Sequence, residues 1–157
     1  RSSNPGALIL RTSWIYSPFG TNFVKTMLRL ATERPQLRVV DDQVGNPTSA
    51  LDLADAILMI APRVGRKDST GAILHVAGTG SASWYGLARQ VFAASKLIGG
   101  PWADVVPIST SGYPTPTPRP ANSRLDTSAF TARFGQALPD WRTGVEETVR
   151  RLITGAT

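Results

Sequence analysis

The 157-residue chain has no cysteine and a single histidine. Without thiols it can form neither disulfides nor thiolate metal sites, a usage that fits a reducing compartment. One histidine also leaves no material for a Cys-His pair or a histidine-rich metal cage. No apolar run approaches the roughly 20 residues of a membrane span. The stretch after Arg1 shows neither a signal peptide nor a lipidation motif, so the expectation is a soluble, cytoplasmic protein with no membrane partner. Acidic residues are in deficit, 11 against 17 Lys and Arg, for a net charge of +6. That excess does not point to nucleic acid. Arg11, Arg29, Arg38, Arg63, Arg89, Arg119, Arg124, Arg142 and Arg150 are scattered, and no basic run interleaves with aromatics. A nucleotide diphosphate needs only one or two well-placed guanidinium forks.

What is present alternates between apolar strands and amphipathic helices, the pattern of an α/β protein. Ala7 to Leu10 reads as a strand leading into a polar turn with Trp14 and Tyr16. Asn22 to Arg34 follows as an amphipathic helix with Phe23, Met27 and Leu30 on one stripe, capped by Asn22 or Thr21 and ended by Pro35. Gln36 to Val40 is a short strand, followed by the polar turn Asp41 to Pro47. Ser49 to Ala61 is a second helix, its apolar side read as Leu51, Ala54, Ile57 and Leu58, and Pro62 to Gly71 is a basic loop. Ala72 to Ala77 reads as a buried strand, Ser83 to Lys96 as a helix and Val105 to Ile108 as a last strand. The spacing predicts a short helix over Thr127 to Phe134 ended by Gly135, and a final helix opened by a Thr143/Glu146 capping box. No internal repeat or domain boundary is evident.

In open α/β sheets ligands sit beyond the carboxyl ends of the strands, which draws attention to Thr12, Ser13 and Trp14. Trp14 offers a flat apolar face and an N–H donor, suited to a sugar ring or to capping a core. Gly78-Thr79-Gly80 lies between a strand and a helix but lacks the third glycine of a phosphate loop, and reads as a turn. His75, inside an apolar strand, reads as a packed residue, and Asp41 and Asp42 as solvated turn carboxylates. Pro114, Pro116, Pro118 and Pro120 hold Tyr113 to Pro120 extended, so that Arg119 is presented from a loop with little ordering cost. A PxxP ligand for a partner domain is the alternative for that loop. Its position between folded elements counts against it.

Four segments in order, LILRTSWIYSPFGTNFVKTMLRLA, VVDDQVGNPTSALDLADAI, ILHVAGTGSASWYGLA and YPTPTPRPANSRLDTSAF, resemble the carboxyl-terminal half of the dTDP-4-dehydrorhamnose reductases. These are extended short-chain dehydrogenase/reductases. The resemblance spans roughly Leu8 to Leu152 and implies the substrate-binding portion of a partial Rossmann-like NAD(P)-binding fold. It further implies reduction of the C4 ketone of a dTDP-linked 6-deoxyhexose by NADPH or NADH, with a proton from a Tyr-x-x-x-Lys pair.

No such pair exists here. Gly20, Arg89 and Thr117 stand four residues after Tyr16, Tyr85 and Tyr113. The glycine-rich cofactor loop is missing as well. Both precede this block in the family, so the expectation is a single substrate-binding portion over 1–157 that is inactive alone and carries no catalytic residue and no bound cofactor.

By position, the resemblance assigns Trp14, Asn22, Gln43, Arg119 and, more weakly, Arg124 to the sugar nucleotide, and Thr12 and Ser13 to the nicotinamide. Leu51 stands where some members place a magnesium-binding carboxylate, so no metal is expected. An exposed strand edge is expected to drive self-association, a homodimer included. A runner-up is a non-catalytic regulatory subunit on the same fold, similar to that of methionine adenosyltransferase.

Overall fold

In the computed structural model, which describes residues 4, 6–64 and 71–155, every strand is short and finds its partner far along the chain. β1 (Ile9–Arg11) pairs in parallel with β6 (Ile73–His75), and β2 (Ile15–Tyr16) in parallel with β5 (Thr48–Ser49). β3 (Gln36–Val40) pairs in parallel with β8 (Asp104–Ile108), and β4 (Val44–Gly45) antiparallel with β7 (Ala82–Ser83). Parallel pairing requires crossovers. These contain α1 (Phe23–Glu33), α2 (Ala50–Ile60) and α3 (Trp84–Leu97), and α4 (Ser128–Phe134) and α5 (Trp141–Thr154) complete the α/β chain.

Local chemistry sets the helix ends. Asn22, Ser49 and Ser83 each accept a backbone N–H of the first turn of α1, α2 and α3. Gly135 ends α4 at φ 76°, a left-handed conformation that only glycine adopts at little cost. The expected Thr143/Glu146 capping box does not open α5. Asp140 is the cap, accepting from Arg142 N, because Pro139 and Asp140 already turn the chain and place Thr143 inside the first turn.

Two apolar clusters result. The first joins α1, α3 and α5 to β3 and includes Val24, Met27, Leu37, Leu87, Val91, Trp141, Val145 and Val149, all buried. Tyr16 is buried there too. Its hydroxyl donates to Trp141 O at 2.7 Å, and burial, with the charges of Asp52 and Asp140, pushes its pKa well above the ordinary phenol value.

The second cluster joins α2, β6 and α4 through Ala56, Ile60, Leu74, Val76, Phe130, Phe134 and Leu138. The helix face expected for α2 is not the buried one. Ala56 and Ile60 point inward, while Ala54, Ile57 and Leu58 are exposed, Leu58 by 71%. ALDLADAILMI is apolar nearly all round, so periodicity alone does not choose the face. The strand expected to be buried at Ala72 to Ala77 is covered at Leu74, Val76 and Ala77, while its other face is open at Ile73. Leu10 and its register partner Leu74 face the cluster, and Ile9 and Ile73 lie 39% and 42% exposed. α1 packs into the first cluster. Of the basic loop expected at Pro62 to Gly71, residues 65–70 lie outside the described ones.

No helix among the described residues is long and apolar enough to cross a membrane.

Candidate functional site

Side-chain hydrogen bonds tie the turn after β3 to the carboxyl end of β8. Asp42 accepts from both N and Oγ1 of Thr110, at 2.9 and 2.6 Å, and these bonds hold its carboxyl below the usual range. Gln43, buried, donates from Nε2 to Thr110 Oγ1 at 3.0 Å and accepts from Trp84 Nε1 at 3.2 Å. Asp41 accepts from Ser83 Oγ. The two aspartates, expected to be free in solvent, are therefore exposed clamps on the turn.

The proline-rich segment leaves this clamp at Thr110 and returns to it at the other end. Val44 N donates to Ala121 O, and Ser123 N donates to Val44 O. Both ends of the loop carrying Arg119 are thus pinned to one turn, which lowers the entropy lost when that arginine meets a ligand.

Asn46 is the second hub. Buried, it donates to Gly80 O, accepts from Leu125 N at Oδ1, and offers its carbonyl to Ser13 Oγ and Thr48 Oγ1. The Gly78 to Gly80 segment is a packed turn. Thr79 bonds Leu138 O and Pro139 O, and a Cβ on Gly78 would fall 2.3 Å from Pro47 O.

Above the turn lies a cavity of about 900 Å³, walled by α1, β3, the end of β8 and the proline-rich segment. Its apolar side is Phe23, Met27, Leu30, Leu37 and Val39. Its aromatic end is Trp14 stacked on Trp84, ring centroids 3.7 Å apart and planes 6° from parallel, with Phe23 tilted against Trp84. Arg34, Arg38 and Arg119 line it, all exposed and none in an ion pair among the described residues. Among the described residues no Asp or Glu lines it. Such a site can take a flat or cyclic group against the indoles and a multivalent anion among the guanidinium groups.

Of the residues singled out in the sequence, this cavity brings together Trp14, Gln43 and Arg119. Asn22 is engaged elsewhere as the α1 cap, with Oδ1 accepting from Lys25 N and Nδ2 donating to Ser17 O and Phe19 O. Arg124 bonds Asn122 Oδ1 at 3.0 Å and does not line the cavity. Thr12 follows β1, and its buried Oγ1 has no hydrogen-bond partner, whereas Ser13 donates to Asn46 O. His75 is half-buried in β6 opposite Arg11. Among the described residues no group of three or more His, Asp or Glu is placed to hold a metal ion.

Sequence reasoning missed Arg34, Arg38 and Trp84. Arg38 carries a signal, being the exposed member of an alternating strand whose Leu37 and Val39 are buried. Trp84, the first residue of α3, carries none.

The family model described as the RmlD substrate binding domain matches residues 1–154. The dTDP-4-dehydrorhamnose reductase of Sinorhizobium fredii is 47% identical over 154 residues, covering 97% of this chain and 51% of the relative. Among solved structures, a dTDP-4-dehydrorhamnose reductase ortholog from Clostridium acetobutylicum superposes with a TM-score of 0.85 at 32% identity, over 97% of this chain and 51% of that one. The dTDP-4-dehydrorhamnose reductase of Bacillus anthracis, in complex with NADP, gives 0.79 at 34% identity, over 92% and 48%. The chain spans about half the length of the curated relatives it matches. Its strands and helices are part of the Rossmann-like α/β fold of the extended short-chain dehydrogenase/reductases, and the chain belongs to the RmlD substrate binding domain family.

Proposed function

We propose that this chain is the sugar-nucleotide-binding portion of a dTDP-4-dehydrorhamnose reductase. The whole protein then reduces the C4 ketone of dTDP-4-dehydro-6-deoxy-L-mannose to dTDP-L-rhamnose with NADPH or NADH. The observation that carries this reading is the cavity itself, which among the described residues has three guanidinium groups outside any ion pair, no carboxylate, and a stacked indole pair at one end. A nucleoside diphosphate sugar presents those features: a dianion flanked by a planar base and a cyclic sugar. Arg119, on the loop pinned at both ends, meets the diphosphate, and Trp14 borders the sugar.

For the nicotinamide, the residues at the end of β1 fit in part. Thr12 Oγ1 is buried and unpartnered, a state that costs about 1–3 kcal/mol unless a ligand completes it. Its hydroxyl is suited to the carboxamide, whereas the Ser13 hydroxyl is already held by Asn46. The bound cofactor supplies the hydride.

None of the three tyrosines has lysine four residues on. Tyr16 is sealed in the core, with its proton held on Trp141 O. The chain therefore binds and orients, and a tyrosine outside it protonates the alkoxide. The test is NADPH oxidation with the dTDP-4-keto-6-deoxyhexose. The full-length protein should turn over and this chain alone should not. Turnover by the chain alone, or none by an intact full-length protein that binds NADPH, would reject the reading.

A further inference from the structure

Trp14 is the one non-glycine among the described residues with a positive φ, 47°. An L-residue holds that left-handed conformation at a cost of about 1–3 kcal/mol and keeps it only where its surroundings enforce it. The enforcing contacts come from Gly45 and Trp84. Gly45 lies under the ring, where a Cβ would come 2.5 Å from Trp14 Cε2. Trp84 covers one face in parallel at 3.7 Å, too close for any ligand to enter between the rings.

Trp84 is fixed in turn. Its Nε1 donates to buried Gln43, whose amide donates to Thr110, whose N and Oγ1 are held by Asp42. Thr110 stands just before the proline-rich segment with Arg119. A continuous path thus runs from the root of the anion-binding loop to Trp14 where it lines the cavity.

We propose that Trp84 is a positioning residue. It holds the Trp14 indole against the strained backbone of its own residue and registers it against the nucleotide loop through Gln43, Thr110 and Asp42. The proposal rests on the reading of this cavity as the sugar-nucleotide site. Loss of Trp84 should then impair reaction of the sugar far more than capture of the nucleotide, since a small misplacement near the reacting centre can lower the rate about a hundredfold.

The experiment uses the full-length protein with Trp84→Leu, Trp84→Phe and Trp14→Ala. It measures dTDP affinity, kcat and KM for the dTDP-keto sugar, and the tryptophan exciton couplet in far-ultraviolet circular dichroism. Trp84→Leu should abolish the couplet, as Trp14→Ala does. It should lower kcat/KM about thirtyfold and change dTDP affinity by no more than about threefold. Trp84→Phe retains a stacking ring without the N–H and should lower kcat/KM only about fivefold, a partial recovery.

A wild-type protein with no couplet, a Trp84→Leu protein with kcat/KM within about twofold of wild type, or equal losses in dTDP affinity and kcat/KM would overturn the assignment. Should Trp84→Leu fail to fold, Trp84→Phe carries the test. A missing couplet on that substitution, with kcat/KM reduced and dTDP affinity kept, supports the proposal, and unchanged kinetics reject it. Failure of the wild type to bind dTDP instead refutes the site reading, while the couplet still decides whether Trp84 sets Trp14.

Discussion

The two apolar clusters are built to different standards. Around Val24, Leu87, Val91, Val145 and Val149 helices α1, α3 and α5 close on one another, with side chains fully out of solvent. Around Leu74 and Phe130 the layer is finished on one side only. Ile9 and Ile73 project from the far face of the β1–β6 pair, and Ile57 and Leu58 from α2. An apolar parallel strand pair is the kind of element that proteins cover on both faces. The closed region carries the cavity, and the open region carries an apolar surface suited to another folded layer. The contrast teaches that site formation and completion of the fold are separable here, since the cavity needs nothing from the open side.

The largest effect should come from the closed region. Trp141→Ala removes a side chain only 3% exposed that packs against Gly78 and Gly80. It should lower stability by about 3–5 kcal/mol, seen as a shift of the urea midpoint. A loss below about 1 kcal/mol would mean the two regions are not unequal. Next, Arg119→Leu should weaken dTDP binding by about tenfold or more through loss of a charge-assisted bond. Arg124→Leu, whose guanidinium is held by Asn122 outside the cavity, should weaken it less. Calorimetric titration of the two variants ranks them.

The open region should respond oppositely. Leu58→Lys, at a position 71% exposed, should change stability by less than about 0.5 kcal/mol and raise the concentration at which the chain self-associates. Sedimentation equilibrium measures that. A wild-type chain that stays monomeric at high concentration would remove the argument for a sticky face.

The smallest effect concerns Asp52, at the seam between the regions. Burial first, then the charge of Asp55, raises its pKa, with Ser49 opposing. A carboxyl whose folded pKa exceeds its unfolded value destabilises the fold at pH above both, and the penalty fades as pH falls through the raised value. Asp52→Asn should therefore raise Tm slightly at pH 7, with the gain vanishing toward pH 4. A gain that grows on acidification contradicts the assignment.

Much of both regions was legible because the signals are local. Asn22 and Pro35 bracket α1, Ser49 opens α2, Gly135 ends α4, and the strand Gln36–Val40 lies as read. The buried face of α2 was not legible, because a helix apolar all round has no preferred stripe until its neighbours are in place. Nor was the Asp140 cap of α5, where Thr143 and Glu146 present an equally good local motif and only the turn at Pro139 decides.

At the site, Trp14, Gln43 and Arg119 could be marked by loop position and resemblance. Asn22 offers the same amide to a cap or to a ligand, and the sequence could not show that its hydrogen bonds are filled by Ser17, Phe19 and Lys25. Trp84 stayed hidden because its partners, Trp14 and Gln43, are 70 and 41 residues away.

The central claim, that the cavity selects a nucleoside diphosphate through its unpaired guanidinium groups, is tested most directly by comparing dTDP with thymidine. Both are titrated calorimetrically into the full-length protein. The account predicts one saturable dTDP site that weakens with added salt, and thymidine at least about tenfold weaker, since two or more charge-assisted bonds are missing. Equal affinity for the two, or a dTDP affinity indifferent to salt, would contradict it.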